Sequence, residues 1–341
     1  MLDVVVAGGG PVGLATALYA ARSGLQVSVH EPRAGSIDKA CGEGLMPGAV
    51  AALADLGIDP EGQPLRGIRY LAGGACAEAG FRHGSGRGVR RTTLHTDLLA
   101  AVRRAGIPVV QRAVREVEQR SSDVLVDGTP ARYLVAADGL HSPLRRRLGM
   151  DSPVSPLRRR FGLRCHADVA PWTDHVEVHW AGSAEAYVTP VGRDLVGVAM
   201  LTSEPASYDE MLLHFPDIRD RLAGAALSKV RGAGPLRQRS VRRVAGRVLL
   251  VGDASGYVDA LTGEGIALGL AQARSAVAAI CADRASLYEA SWRRITWRYR
   301  LLTASLLGAS RLSLVRSGIV PAAVALPRVF SAAVNELARP V

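Results

Sequence analysis

The chain has 341 residues, 48% hydrophobic and 21% charged, with a formal net charge of +11. Those are globular proportions, which exclude a disordered chain and leave room for one large domain or two intertwined ones. The positive surplus is almost wholly arginine, Lys39 and Lys229 being the two lysines, and no finger or RNA-binding signature accompanies it, so no nucleic-acid partner is expected. Cys41, Cys76, Cys165 and Cys281 have neither metal-ligand spacing nor the look of a disulfide framework, which points to a cytoplasmic protein and to no metal. The N-terminus enters a strand directly, without a signal peptide, and Arg311 and Arg316 interrupt the best apolar run, so a soluble protein is expected, with peripheral membrane contact as the alternative.

In chain order, residues 2–7 form an apolar strand, and the turn Gly8-Gly-Gly-Pro11-Val12-Gly13 leads into a helix that stops near Gly24. A second strand, residues 26–30, ends at Glu31. This is a β-α-β unit with G-x-G-x-x-G between strand and helix and an acid after the second strand, the context of a dinucleotide site. Gly8 permits the turn, Gly10 lets the backbone reach a pyrophosphate, and Gly13 lets helix and strand pack closely. Glu31 can accept hydrogen bonds from a ribose diol, and its charge disfavours a 2′-phosphate there.

A glycine-rich loop, residues 38–47, contains Cys41 and Gly42, and a helix follows from about Gly48 to Leu56. Cys41 reads as a small apolar filler rather than a nucleophile, because no activating base is visible. After Arg90-Arg91, Thr93 is a candidate cap for a helix through Leu94, Leu98 and Val102. Short strands follow at 108–111, 114–119 and 124–126, and the buried strand from Tyr133 ends in Asp138-Gly139. The run Arg145–Arg147 reads as a solvated helix face.

From Arg158 the texture becomes that of an antiparallel sheet, with strands at 160–169, 175–180, 184–189 and 195–201. His175, Glu177 and His179 share one face of their strand, read as a wet face rather than a metal site. Two helices near 207–213 and 217–223 lead to the apolar strand Val248 to Val251, which ends in Gly252-Asp253. Gly263-Glu264-Gly265 then opens a helix running to about Ile280, so an acid and a positive helix end come together. In the helix from Ser286 to about Leu307, Arg293, Arg294, Arg298 and Arg300 fall on one side, and Trp292, Ile295, Trp297, Leu301 and Leu302 on the other. The final apolar segment, 312–337, is broken by Pro321 and Pro327.

Three strand ends thus point at one ligand, and a dinucleotide fold with a second acid and helix end far along the chain suggests FAD rather than NAD. On Gly8-x-Gly10-x-x-Gly13 with Glu31, Asp138-Gly139-x-x-Ser142-x-x-Arg145 and Gly252-Asp253, the chain resembles FAD-dependent oxidoreductases of the p-hydroxybenzoate hydroxylase and geranylgeranyl reductase superfamily. The loop Cys41-Gly-Glu-Gly-Leu45 and the stretch Thr262-Gly-Glu-Gly-Ile266 look like geranylgeranyl reductases. The wording of residues 37–49 also resembles flavin oxidoreductases that accompany type III polyketide synthases.

The resemblance implies an α/β fold: a Rossmann-type FAD domain from 1–157 and 231–285, an antiparallel-sheet substrate domain from 158–230, and C-terminal helices from 286–341. It implies FAD contacts at Gly8, Gly10, Pro11, Val12 and Gly13, at Glu31, Pro32 and Arg33, and at Cys41 and Gly42. Arg91 would lie near the ribityl chain and pyrophosphate, and Asp253 with Gly252 would bind the ribityl chain. Gly263, Gly265 and Ile266 would meet the pyrimidine edge, with Val114, Asp138 and Gly139 completing the set. NAD(P)H would serve as a transient reductant. The expected reaction is hydroxylation of a hydrophobic phenolic or polyketide-type molecule, with reduction of isoprenoid double bonds as the alternative. No catalytic base is identifiable; Glu264 and a sheet histidine are the candidates. The apolar C-terminal helices read first as packing on the domain, with a lid or membrane-facing surface for a greasy substrate as the alternative.

Overall fold

The structure, a computed structural model, describes residues 1–155 and 159–340. The expected domain junction at 157/158 lies outside the described residues. A mainly parallel sheet runs in the order Val244–Ala245, Val248–Leu250, Thr129–Ala136, Leu2–Ala7, Val27–His30, Val109–Val110. Its central strands are apolar runs without alternation, as a sheet covered on both faces requires. Val4, Val5 and Val6 have no exposure at all. Val4 and Val6 pack with the helices Pro11–Arg22, Arg91–Arg104 and Gly265–Cys281 on one side, and Val5 packs with Val124, Val126, Leu144 and Met150 on the other.

The second sheet is larger than the sequence suggested. Its order is Arg231–Ala233, Phe161–Ala167, Leu195–Thr202, Ala184–Gly192, His175–Trp180, Gly67–Ala72, Ala75–Gly80. Residues 67–80 and 231–233 therefore belong with the sheet of the substrate region, which corrects the expected boundaries. The hairpin joins through parallel pairing, Val176 opposite Ile68 and Val178 opposite Tyr70. The face bearing His175 and Glu177 is not wet: both are buried, and Glu177 accepts from the Trp172 indole at 3.0 Å.

Three local expectations change for tertiary reasons. The helix begins at Arg91 rather than at a Thr93 cap, because the Glu43 carboxylate, from a distant loop, accepts the Arg91 backbone N–H at 2.8 Å. Arg145 is fully buried rather than solvated. In Ser286–Ser310 the buried face is Tyr288, Trp292, Thr296, Tyr299, Thr303 and Leu307, while Trp297 is 52% and Leu301 58% exposed. Pro321 lies inside the helix Ser313–Ala325, and the break falls at Pro327, where the chain bends by 101°. No single described helix is long and apolar enough to cross a membrane.

A buried ionic network ties the second sheet to the C-terminal helices. Arg160 pairs with Asp259 at 3.0 Å and closely with Glu185, and Arg316 lies 2.8 Å from Glu185. Removing the cation with Arg160→Met strips Asp259 of its partner and leaves buried Glu185 with Arg316 alone. Denaturant unfolding should then show a loss of about 3–5 kcal/mol, and an unchanged midpoint would contradict the network's role. Burial pushes the Asp259 carboxyl up to about 6, against the pull of Arg160. A folded pKa above the ordinary value favours the fold at low pH, so this group's contribution declines as pH rises through about 6. Asp259→Asn should flatten the stability profile between about pH 4 and 6; an unaltered slope would refute that assignment.

Candidate active site

The ends of Leu2–Ala7, Thr129–Ala136 and Val248–Leu250 lie side by side, with Ala7 opposite Ala136 and Leu250 paired to Ala136. Their loops therefore open at one place. Gly8 has φ +109°, and a Cβ there would lie 2.4 Å from the Ala137 carbonyl oxygen. A Cβ on Gly13 would lie 1.9 Å from the Gly8 carbonyl oxygen, so the helix sits as close to the strand as backbone allows. Gly10 has nothing within 4 Å of its Cβ position, leaving its backbone open to a ligand. His95, which the sequence reading did not single out, supports the turn through Nε2 at 2.9 Å from the Gly9 carbonyl.

Arg145 joins the other two loops. Its guanidinium donates to Ala254 O at 3.1 Å, Leu140 O at 3.2 Å, Gln238 Oε1 at 2.8 Å and Asp151 Oδ1 at 2.7 Å. Ser142 caps the short helix Pro143–Arg147 by accepting the Arg145 N–H at 2.9 Å, which fixes that side chain at its base. The Asp138-Gly-x-x-Ser-x-x-Arg pattern is thus a device that locks one strand-end loop to another.

A cavity of 450 Å³ runs from these loops to the second sheet. Among the expected site residues, Gly10, Pro11, Val12, Arg33, Cys41, Gly42, Arg91, Asp138, Gly139, Gly252, Asp253, Gly263, Gly265 and Ile266 line it. Gly8 and Gly13 shape the turn beneath it. Glu31 is one layer out: its carboxylate accepts from Gly9 N at 2.8 Å, Arg33 N at 3.0 Å and the Arg33 guanidinium at 2.7 and 2.9 Å. Those four bonds fill its acceptor sites, so a ribose diol reaches Glu31 by displacing the half-exposed Arg33 guanidinium. Pro32, exposed next to Glu31, is not in the lining, and Val114 packs with Val5 and Val124 in the core on the far side of the sheet.

The electrostatics suit a polyanionic cofactor at one end. Lys39 lines the cavity near Glu31, Asp253, Arg33 and Arg91, and burial pulls its pKa down, with those arginines adding to the effect. Asp253 is half-buried, and desolvation raises its carboxyl despite Arg91, Lys39 and Arg145. Asp138 is also raised by burial, and its Oδ1 has no partner. A ligand offering hydroxyl donors to these carboxylates and phosphates to Lys39 and Arg91 satisfies both sets, and FAD has that chemistry. The helix Gly265–Cys281 begins at the same wall and brings its positive end.

The other end is apolar, walled by Leu45, Met46, Val176, Ala199, Leu201, Leu236 and Ala260, with Tyr187 and Tyr257 among them. Neither His175 nor His179 lines it. Glu264 is a buried acid whose carboxyl burial raises well above the usual range, with Glu336 adding to the shift. That shift favours its neutral form, and Glu264 is not among the residues that line the cavity. Behind the Cys41 loop, Glu43 accepts from His166 Nε2 at 2.6 Å, while Arg164 donates to His166 Nδ1 at 2.9 Å. That buried chain fastens the loop to the second sheet.

The family model of the FAD binding domain matches residues 1–283. The menaquinone reductase of Mycobacterium tuberculosis (strain ATCC 25618 / H37Rv) is 31% identical over 317 residues, covering 80% of this chain and 75% of that one. Digeranylgeranylglycerophospholipid reductase 1 of Methanopyrus kandleri is 29% identical, covering 77% and 76%. Para-nitrophenol 4-monooxygenase of Pseudomonas sp. (strain WBC-3) is 30% identical over 43% of this chain and 42% of its own. Among solved structures, a geranylgeranyl bacteriochlorophyll reductase-like protein from Thermoplasma acidophilum superposes with a TM-score of 0.79 at 19% identity, covering 98% of this chain and 95% of that one. On this geometry Gly10→Val should give a folded but colourless protein, and full flavin occupancy in that variant would contradict the pyrophosphate approach. Asp253→Ala should weaken FAD retention at least tenfold on dialysis (a loss of about 1.4 kcal/mol), and unchanged retention would remove its ribityl role. The chain belongs to the FAD binding domain family, and it is an FAD-dependent oxidoreductase.

Proposed function

We propose that this oxidoreductase saturates a carbon–carbon double bond in a hydrophobic, isoprenoid-bearing molecule, with NAD(P)H as the reductant. The carrying observation is that one cavity joins the polar loops to an apolar end whose wall carries the phenols of Tyr187 and Tyr257. Bound FAD supplies the hydride-transfer chemistry. The chain's part is to hold an alkene in the apolar end, exclude water and deliver a proton to the second carbon. Tyr257 is the first candidate donor: burial holds its phenol well above the usual range, so it stays protonated. Cys41 lies close enough to add to that shift, and Tyr187 is tied to Leu261 O at 2.9 Å. Reductase names on relatives that match more than three quarters of this chain support the same order.

Hydroxylation of a phenolic molecule is the second reading, supported by the monooxygenase match over less than half the chain. It requires an acceptor for the phenol proton, and Glu43, the lining acid next to the apolar wall, is already held by Arg91 N and His166 Nε2. Exposed Trp297, Leu301, Leu326 and Val329, with Arg293, Arg294 and Arg328 nearby in sequence, support a C-terminal surface that meets an anionic bilayer, where such substrates reside.

Turnover in deuterated water without oxygen should leave one solvent deuterium on a saturated carbon of a geranylgeranyl glycerolipid. Tyr257→Phe should slow that turnover at least tenfold with FAD content unchanged, about 1.4 kcal/mol of barrier. Undiminished turnover would remove Tyr257 as the donor. For the surface, the pair Trp297→Ser and Leu301→Ser should reduce sedimentation with phosphatidylglycerol vesicles, and equal sedimentation would exclude this face.

A further inference from the structure

Behind the segment that carries Gly252, Asp253 and Tyr257 lies a second cavity, of 320 Å³, which shares those residues and Gly265 with the first. Its walls come from residues 237–243, just before the strand Val248–Leu250, and from the helix Ser286–Ser310. Arg237, Arg239, Arg243 and Arg300 all face it, and among the described lining residues Asp253 is the one carboxylate. Such convergence of like charges is unfavourable in itself and is stabilised when an anion enters.

The charges do not cancel within the protein. Arg243 is 7% exposed and pairs closely with Glu289, yet its Nε has no hydrogen-bond partner. Asp253 is influenced by Arg91, Lys39 and Arg145 of the flavin site. Arg300 lies over the Trp292 ring at 5.1 Å, and Arg243 over the same ring at 3.9 Å. Burial lowers the Arg300 pKa, with Arg243 and Arg239 next in effect and no carboxylate offsetting them. Arg239 and Arg300 therefore leave about two positive charges for a ligand, more than a monocarboxylate neutralises. Guanidinium forks match phosphate oxygens, and the volume, near the lower end of ligand pockets, admits a phosphorylated group rather than a whole dinucleotide.

We propose that this cavity is a binding site for the phosphate or diphosphate group of an organic ester, held by Arg239, Arg243 and Arg300 beside Trp292. The site stands independently of whether the flavin reaction is reduction or hydroxylation. A nicotinamide dinucleotide and a prenyl diphosphate are the two sources of that chemistry.

Titration calorimetry of the FAD-loaded protein at constant ionic strength, with inorganic pyrophosphate as the probe, tests it. Wild type should bind, and Arg239→Gln/Arg300→Gln should bind at least tenfold more weakly with the same FAD content. Arg239→Gln alone, an exposed position, should give part of the loss should the double variant lose its flavin. Equal affinity in wild type and both variants overturns the site, as does a wild-type signal abolished by equimolar sulfate, which marks an adventitious ion only. Geranyl diphosphate and NADPH are then compared. Whichever binds more tightly than pyrophosphate identifies the source, and neither doing so overturns the assignment to an organic ester.

Discussion

The fold of the site depends on one buried cation. The Arg145 guanidinium has no exposed surface and spends its N–H groups on the carbonyls of Leu140 and Ala254, on Gln238 and on Asp151. A buried charge is tolerated only when it is paired and hydrogen-bonded, so these loops cannot drift apart without stranding it. The loops carry Asp138 and Asp253, whose carboxyls burial raises toward the neutral form. A fixed frame thus holds two acids in the wall of a cavity, one of them, Asp138, with an unpartnered oxygen, where a hydroxyl-rich cofactor chain can donate.

From that frame the remaining geometry follows in layers. The glycine turn brings backbone to the floor, Lys39 and Arg91 supply positive charge at the polar end, and the second sheet supplies apolar wall. Glu43 links them: its carboxylate caps the helix Arg91–Arg104 and pairs with His166 on the sheet. One side chain therefore sets the position of Arg91 and of the Cys41 loop against the substrate region. One cavity thus presents a polar end to the charged cofactor and an apolar end beside it.

What the sequence revealed was local. The turn from Gly8 to Gly13, the Asp138-Gly139 end and the Gly252-Asp253 end are short patterns whose backbone needs leave a direct trace in residue type. What it concealed was non-local. Gly67–Ala72 enters the second sheet by pairing with a strand about a hundred residues later, and nothing in its own pattern names that partner. The helix Ser286–Ser310 was misread because its buried face is made of tyrosines, tryptophan and threonines. Tyr288 and Tyr299 hide their hydroxyls by donating to Leu250 O at 2.9 Å and Asp259 O at 2.7 Å. Lys39 carried one signal, its rarity in an arginine-rich chain, while Val114, named through the resemblance, has its side chain in the core and outside the cavity lining.

On the function we propose, the reduced cofactor gives its electrons to an alkene and not to oxygen. The direct measurement is the absorption spectrum of the reduced protein under strict anoxia, followed after adding a geranylgeranyl glycerolipid. The expected result is return of the oxidised flavin spectrum together with lipid that has gained two hydrogens. A spectrum that stays reduced until oxygen is admitted, then recovers as a phenol gains an oxygen atom, would contradict it.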